Sequence, residues 1–424
     1  HDALPIWTSS IKDGFMIVAL AWIVLSAIGA LPFVFSKEIP SYIDAFFETV
    51  SGFTTTGATI LADVEALSRG MLFWRGFTHW IGGMGILVFV VMLVNTPDRS
   101  INILKAEMPG PTVDKLVPKS KDTARTLYII YTALTALEVI FLLLGGMSLF
   151  DSVVHALSTA GTGGFGAYNA SAANFSPYIQ WVLTVFMFLF AINFNLFYLI
   201  LLGRMRDVFR NTEFKAYLAI VLVSVAVITA EIMPLYRTFS DSLRQAAFQV
   251  ASIISTTGFI TADFTVWTPL SKALLLGLMF VGGCAGSTAG GLKVSRVAIL
   301  FKMMRRELRH TLRPRVVDVI KMDGRRLDEQ TAHSVAVYFA LYILSIAALI
   351  VSLSFSRFDL ETNLFAAISC FNNVGPGFGM AGPVGNYSPY PPLFKLFLSA
   401  GMLLGRLEIY PMLLLFMPAA WRKR

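Results

Sequence analysis

Four short segments carry the residue types from which a cation-coordinating surface is built. They end in Thr54-Thr55-Thr56-Gly57, Ala160-Gly161-Thr162-Gly163, Ser255-Thr256-Thr257-Gly258 and Asn372-Asn373-Val374-Gly375. Aligned on the last Gly, each has a β-branched residue just before it (Thr56, Thr162, Thr257, Val374). Each also has a bulky apolar residue ten places earlier (Phe47, Val153, Phe248, Phe365). The Gly-to-Gly spacings are 106, 95 and 117 residues. Glycine tolerates positive φ, so successive carbonyls can turn toward one axis. Rings of four backbone carbonyls can then replace the water shell of a dehydrated monovalent cation. Glycines also pack helices in membranes, but four Gly-containing tetrads at comparable places favour the coordinating reading.

The elements that position these tetrads are short. About ten helical residues precede each one, too few to cross a bilayer core that needs about 20. Each segment therefore reads as a half-helix that enters from outside and returns as extended chain, which survives at depth only inside protein or along a water-filled cavity. An Asp opens every segment: Asp44, Asp151, Asp241 and Asp359. Such a residue caps free N–H groups and favours the positive dipole end. The partially negative C-terminal ends then point at a shared centre, which suits a cation.

Composition sets the surroundings. The chain is 56% hydrophobic and 14% charged, against about 25% charged for soluble domains. This excludes an ordinary soluble enzyme, a disordered chain and a coiled coil, and leaves an integral membrane protein. Uncharged runs lie at 14–35, 178–203, 273–292 and 334–356, with shorter or lightly interrupted ones at 80–94, 126–150, 216–230 and 396–420. The expectation is an all-α chain with eight transmembrane spans. Segments 96–125, 203–215, 302–326 and 421–424 hold 22 of the 34 Lys and Arg residues. Positive charge stays cytoplasmic, so these segments and the C-terminus face inside. The formal charge of +8 is thus a topology signal and does not call for nucleic acid. With two cysteines, Cys284 and Cys370, no disulfide framework or metal cluster is expected.

Two spans with one segment between them make a unit of roughly a hundred residues. The expected units are 14–95, 123–203, 214–304 and 331–420. Residues 1–6 read as a translated adapter rather than native chain, with leading helices missing before them.

Three further features stand out. The stretch 282–291 holds five glycines in ten residues (Gly282, Gly283, Gly286, Gly290, Gly291) beside Ser287 and Thr288. Each Gly costs a helix interior about 1 kcal/mol relative to Ala, so the span is expected to break there. Arg406 is the only base in its run, ten residues deep, where a charge is expensive; pairing with Glu408 is its structural alternative. Glu138 is similarly placed and is expected to sit in a structural pair. His79 and His155 lack a neighbouring carboxylate relay and read as polar packing near the outer mouth. The basic stretch 293–326 reads as a topology anchor that could also bind anionic lipid or a cytoplasmic partner.

The sequence resembles the Trk/Ktr/HKT superfamily of potassium transporters, and most closely the bacterial TrkH-type uptake pore subunit. The resemblance rests on 44–59, around Glu48 and Thr54–Gly57, and on 73–85, from Phe73-Trp74-Arg75-Gly76 to Gly82-Gly83-Met84-Gly85. It continues through 282–291 and 401–411, with Gly405-Arg406-Leu407-Glu408. It covers residues 14–424. What it implies is four pseudo-symmetric helix–pore helix–helix units around one ion pore, with potassium held at the filter and no organic cofactor. It also implies a gating loop at 282–291 and Arg406 as a positive plug facing it. A homodimer in the bacterial inner membrane and a cytoplasmic ring of TrkA/KtrA-type nucleotide-binding subunits follow from the same likeness.

Sodium or mixed conduction is the alternative. In plant relatives a Ser at the first filter position goes with sodium preference, and Gly57 here favours potassium. An intramembrane transferase is the remote alternative; it would need a nucleophile–base pair or a metal set, and no such motif is found.

Overall fold

The computed structural model describes residues 11–85, 120–315, 318–383 and 385–421. The expectations for 1–6, 86–94, 422–424 and most of 96–125 lie outside them. The described chain is helical apart from loops and one two-stranded hairpin, β1 (Lys321–Met322) and β2 (Arg325–Arg326).

One order of elements recurs: a long helix, a short helix, then a further helix, which is interrupted in the last three sets. It runs α1 (Ile11–Gly29), α2 (Tyr42–Phe53) and α3 (Arg69–Gly83), then α4 (Ser120–Leu144), α5 (Leu149–Gly161), α6 (Pro177–Phe190) and α7 (Phe194–Leu201). It continues with α8 (Thr212–Tyr236), α9 (Phe239–Ile254), α10 (Pro269–Val281) and α11 (Val294–Leu312). Last come α12 (Glu329–Leu353), α13 (Leu360–Asn372), α14 (Pro392–Arg406) and α15 (Tyr410–Leu415). Stretches long and apolar enough to cross a membrane lie at 12–35, 125–144, 212–236 and 329–356, and α6 with α7 makes a fifth candidate bent by 92°. The chain is a multi-pass membrane protein.

Hydropathy alone does not show where the later elements break. Within the described residues the 80–94 run covers the end of α3, whose earlier turns contain Arg69, Arg75 and His79. The 178–203 run is two helices, because Asn193 caps α7 and accepts the Asn195 N–H. The 396–420 run divides at Leu407–Ile409, where Glu408 and Ile409 take positive φ. Local signals explain the starts: Ser68, Ser176 and Thr268 each accept an N–H three residues on, and Pro177 and Pro269 fit first-turn positions that need no donor.

Packing closes the arrangement. The helix after each short helix also packs on the next short helix: α3 on α5, α6 on α9, α10 on α13 and α14 back on α2. The short helices end at the centre of this circuit, where their last turns are buried.

Candidate ion path and intramembrane loop

The short helices have 12, 13, 16 and 13 residues, and their starts differ from expectation. Ser41, Ser148 and Thr238 are the caps, accepting the backbone N–H groups of Asp44, Asp151 and Asp241. Those Asp residues sit in the third helical position, three residues after the cap. The Asp359 side chain alone is itself a cap, accepting the Thr362 N–H at 3.0 Å. The signal was present as Ser/Thr-x-x-Asp.

At the other ends the four chains turn alike. Thr56, Gly163, Thr257 and Val374 each donate their N–H to the carbonyl of Ser51, Ser158, Ser252 or Ser369, at 2.9, 2.9, 2.9 and 3.0 Å. The preceding residues are left-handed: Thr55, Thr162, Thr256 and Asn373, at φ 54°, 56°, 58° and 55°. The following residues are Gly57, Gly164, Gly258 and Gly375, at φ 78°, 79°, 80° and 94°. The second segment is therefore Gly161-Thr162-Gly163-Gly164, one residue later than the sequence alignment placed it. Ala160 is buried within α5, and the spacings between equivalent glycines become 107, 94 and 117. A Ser six residues before the glycine, common to all four segments, was the available cue.

These glycines meet in a circle. A Cβ on Gly57 would stand 2.1 Å from the Gly163 oxygen, one on Gly164 2.0 Å from that of Thr257, and one on Gly258 2.2 Å from that of Val374. One on Gly375 would stand 2.5 Å from the Thr56 oxygen, which returns to the start. Four carbonyl groups thus lie in a closed circuit that only glycine permits. Side chains brace it from behind. Asn373 Nδ2 donates to Thr56 Oγ1 at 3.0 Å and to the Met402 carbonyl at 2.9 Å. Ser369 Oγ donates to the Gly375 carbonyl at 2.7 Å.

The position nine residues before each glycine differs: Glu48, His155, Gln249 and Ala366. Glu48 is fully buried, pairs with buried Arg75 at 2.9 Å and accepts the Ile60 N–H at 3.0 Å. Arg75 also lies 3.9 Å over the Phe165 ring. Sequence reasoning quoted both residues and missed the pair. His155 packs among Tyr168, Phe175 and Phe259. His79 departs from expectation: its Nδ1 is 2.7 Å from the Gly52 carbonyl oxygen, and a Cβ on Gly163 would meet its ring at 2.3 Å. It backs the carbonyl circuit rather than the outer mouth.

Above the circuit opens a vestibule of about 200 Å³, lined by Gly57, Gly164, Gly258, Gly375, Arg75 and Tyr387 among others. Below it the expected break is present: no helix covers 282–293 between α10 and α11. The legs of this loop pair, Leu292 N and Lys293 N donating to Phe280 O and Val281 O at 3.1 and 3.0 Å. A Cβ on Gly291 would stand 2.8 Å from the Gly282 Cα, so this approach needs glycine on both legs. The returning leg reaches the circuit, with Gly290 N donating to Thr256 Oγ1 at 2.7 Å. The bend between α6 and α7 seats the loop, as Cys284 N donates to Ala191 O and Phe194 N to Gly286 O, at 2.9 and 3.0 Å.

Arg406 faces the loop. Its guanidinium donates to the Thr288 carbonyl at 2.7 Å and to those of Gly82 and Gly83 at 2.5 and 2.7 Å. Glu408 instead pairs with Arg296, which lies 4.1 Å over the Tyr338 ring. Arg406, Gly290, Lys293 and Glu408 are among the residues lining a cavity of about 60 Å³ here. Glu138 is buried and has no ion pair among the described residues, contrary to the expected structural pair.

A family model described as TrkH, cation transport protein, matches residues 5–423. The Trk system potassium uptake protein TrkH of Salmonella typhimurium is 38% identical over 419 residues, 97% of this chain and 86% of that protein. The Escherichia coli protein TrkG is 34% identical over 419 residues, with the same coverage. The crystal structure of the potassium transporter TrkH from Vibrio parahaemolyticus superposes with a TM-score of 0.88 at 34% identity, covering 99% of this chain and 88% of that one. The chain belongs to the TrkH family of cation transport proteins, whose members are transporters rather than enzymes.

Proposed function

We propose that this protein carries potassium across the bacterial inner membrane through a single path at the centre of four pseudo-symmetric units. The observation that carries the reading is the closed circuit of Thr56, Gly163, Thr257 and Val374 carbonyls. Oxygens from four segments arranged in one circuit can replace a dehydrated potassium ion's water. The last turns of four helices, with their negative dipole ends, lie at the same place. Related proteins named as potassium uptake proteins support the choice of ion.

In this reading the filter comprises Thr54–Gly57, Gly161–Gly164, Ser255–Gly258 and Asn372–Gly375. The unit boundaries are 14–95, 123–203, 214–304 and 331–420, with eight crossings and the C-terminus inside. The loop at 282–293 obstructs the path below the filter, and Arg406 holds it there while placing positive charge beside the cavity. The pore subunit works as a homodimer on a cytoplasmic ring of TrkA/KtrA-type nucleotide-binding subunits. Reconstituted protein with Gly57→Ser is expected to gain sodium flux relative to potassium. An unchanged ratio in folded protein would remove the filter assignment.

A further inference from the structure

One carboxylate outside the filter touches the loop twice. Glu213, in the first turn of α8, is 4% exposed. Its Oε1 accepts the Ala285 N–H at 2.7 Å and the Ser295 N–H at 3.0 Å. Those amides lie ten residues apart, one inside the loop and one in the first turn of α11. A single oxygen therefore ties the loop to the helix that leaves it. Hydrogen bonds to an ionised acceptor are roughly twice as strong as neutral ones. Between the two amides Lys293 stands at φ 79°, in a region that side chains disfavour, so the segment is held in a conformation it would leave on release.

The residues beside Glu213 lead out of the membrane. Thr212 N donates to Asp323 Oδ1 at 2.6 Å and Asn211 Nδ2 to Asp323 Oδ2 at 3.2 Å, while Asp323 N returns a bond to Thr212 Oγ1 at 3.1 Å. Asp323 and Gly324 form the tip of the β1–β2 hairpin, at φ 50° and 77°. The base of the hairpin is fixed to α11. Lys302 Nζ donates to the Lys321 carbonyl at 2.7 Å, and Arg309 pairs with Asp318 at 3.0 Å. Met322 packs with Ile299 and Val335. Lys321, Arg325 and Arg326 remain exposed. The hairpin therefore grips the helix after the loop and the turn that carries Glu213, and a push on it moves both ends of the clasp.

We propose that Glu213 is the positioning residue that clasps the 282–293 loop beneath the filter, and that the 321–326 hairpin, through Asp323, is the handle that releases it. The proposal rests on the reading of that loop as the obstruction. Cys284, buried beside the clasped Ala285, reports loop release independently of ion flux. Cys370, buried on α13, reports loss of the fold.

The test measures alkylation of both cysteines by peptide mass spectrometry on the intact protein in lipid nanodiscs, with rubidium uptake in proteoliposomes alongside. Glu213→Ala is expected to speed alkylation of Cys284 about tenfold, on the scale of losing hydrogen bonds to a charged group, leave Cys370 protected, and raise uptake. Glu213→Gln keeps an acceptor oxygen but not the charge and should fall between the parent and Glu213→Ala. Asp323→Ala should give a smaller rise at Cys284. Unchanged Cys284 alkylation in Glu213→Ala, with Cys370 protected, would overturn the clasp. Faster Cys284 alkylation with unchanged uptake would keep the clasp and remove the gate reading beneath it. If Glu213→Ala exposes both cysteines, Glu213→Asp, too short to reach both amides, takes its place under the same criteria. An unchanged Cys284 rate in Asp323→Ala would remove the handle.

Discussion

The two sides of the carbonyl circuit are built on opposite plans. On the circuit itself, four segments of different sequence adopt one backbone, with matching hydrogen bonds, left-handed residues and glycines. Directly beneath, the described residues do not match one another: a glycine-rich loop lies between α10 and α11, Arg406 ends α14, and α6 and α7 form a bent pair that seats the loop. Coordination of a spherical ion from all sides asks for equivalent carbonyls. Obstruction asks for one moving part and fixed surfaces to hold it. In the proposed reading, equivalence above serves the filter and division of labour below serves the gate.

The sharpest way to break the upper half is to test its register. A Cβ on Gly164 meets the backbone oxygen of Thr257 and forces a positive φ on a side chain, whereas the nearest atoms to one on Gly163 belong to the ring of His79. Gly164→Ala is expected to lower potassium uptake roughly 100-fold, equivalent to about 2.7 kcal/mol on the barrier. Adding His79→Ala should not rescue it. Gly163→Ala should be rescued substantially by His79→Ala. Rubidium uptake at matched levels of monodisperse protein decides, and the reverse pattern would restore the alignment on Gly163.

The lower half is tested by shortening the loop. Removing 286–289 deletes the Thr288 carbonyl that Arg406 holds and the Gly286 carbonyl seated on Phe194. Uptake without any cytoplasmic partner should rise about tenfold, the effect of about 1.4 kcal/mol on the limiting step. The potassium-to-sodium ratio should stay as it was, since the circuit above is untouched. A folded deletion with no gain would leave the glycines a packing role.

Arg406 separates two ways of closing the path. Its guanidinium is charged at any working pH and spans three carbonyls with a planar fork, which a lysine cannot do. Two unit charges about 4 Å apart at an effective ε of 20 repel by roughly 4 kcal/mol, so even part of that repulsion slows passage several-fold. If charge is the obstacle, Arg406→Lys keeps the block and Arg406→Gln releases it. If the bridge between α3 and the loop is the obstacle, both variants release it equally. Slower uptake in folded Arg406→Gln would count against either form.

How much of this was legible depended on where the information lay. The four tetrads, the broken span and the isolation of Arg406 are local patterns, and each was readable. The register of the second segment was ambiguous because Gly161-Thr162-Gly163-Gly164 offers two alignments. Only the Ser158 spacing, matched by Ser51, Ser252 and Ser369, separates them. The breaks inside the apolar runs were hidden because hydropathy sees an apolar run and not the Asn193 cap inside it. Glu48–Arg75, Arg296–Glu408 and the Glu213 contacts join residues 27, 112 and at least 72 positions apart. No spacing rule reaches that far. Glu213 in particular reads as an ordinary acid in a first helical turn.

The smallest effect expected lies at the outer ends of the short helices, where one of the four departs from the others. Thr238→Ala removes the side-chain acceptor at the start of α9, and loss of such a cap costs about 1 kcal/mol. Asp241→Asn keeps that cap and should leave the melting temperature in detergent nearly unchanged. At α13 the roles fall on one residue, so Asp359→Ala should lower the melting temperature, whereas Asp359→Asn, an equally good cap, should not. The Thr362 hydrogen bond holds the Asp359 carboxyl below its ordinary value of 3.8. Since the folded value is the lower one, the contribution is complete above the unfolded value and is lost as the pH falls through the folded one. The difference between parent and Asp359→Asn melting should therefore change only in strongly acidic solution and stay constant from neutrality down to about pH 5. A difference that grows between pH 8 and pH 6 would mean that some other group, and not this cap, distinguishes the fourth helix.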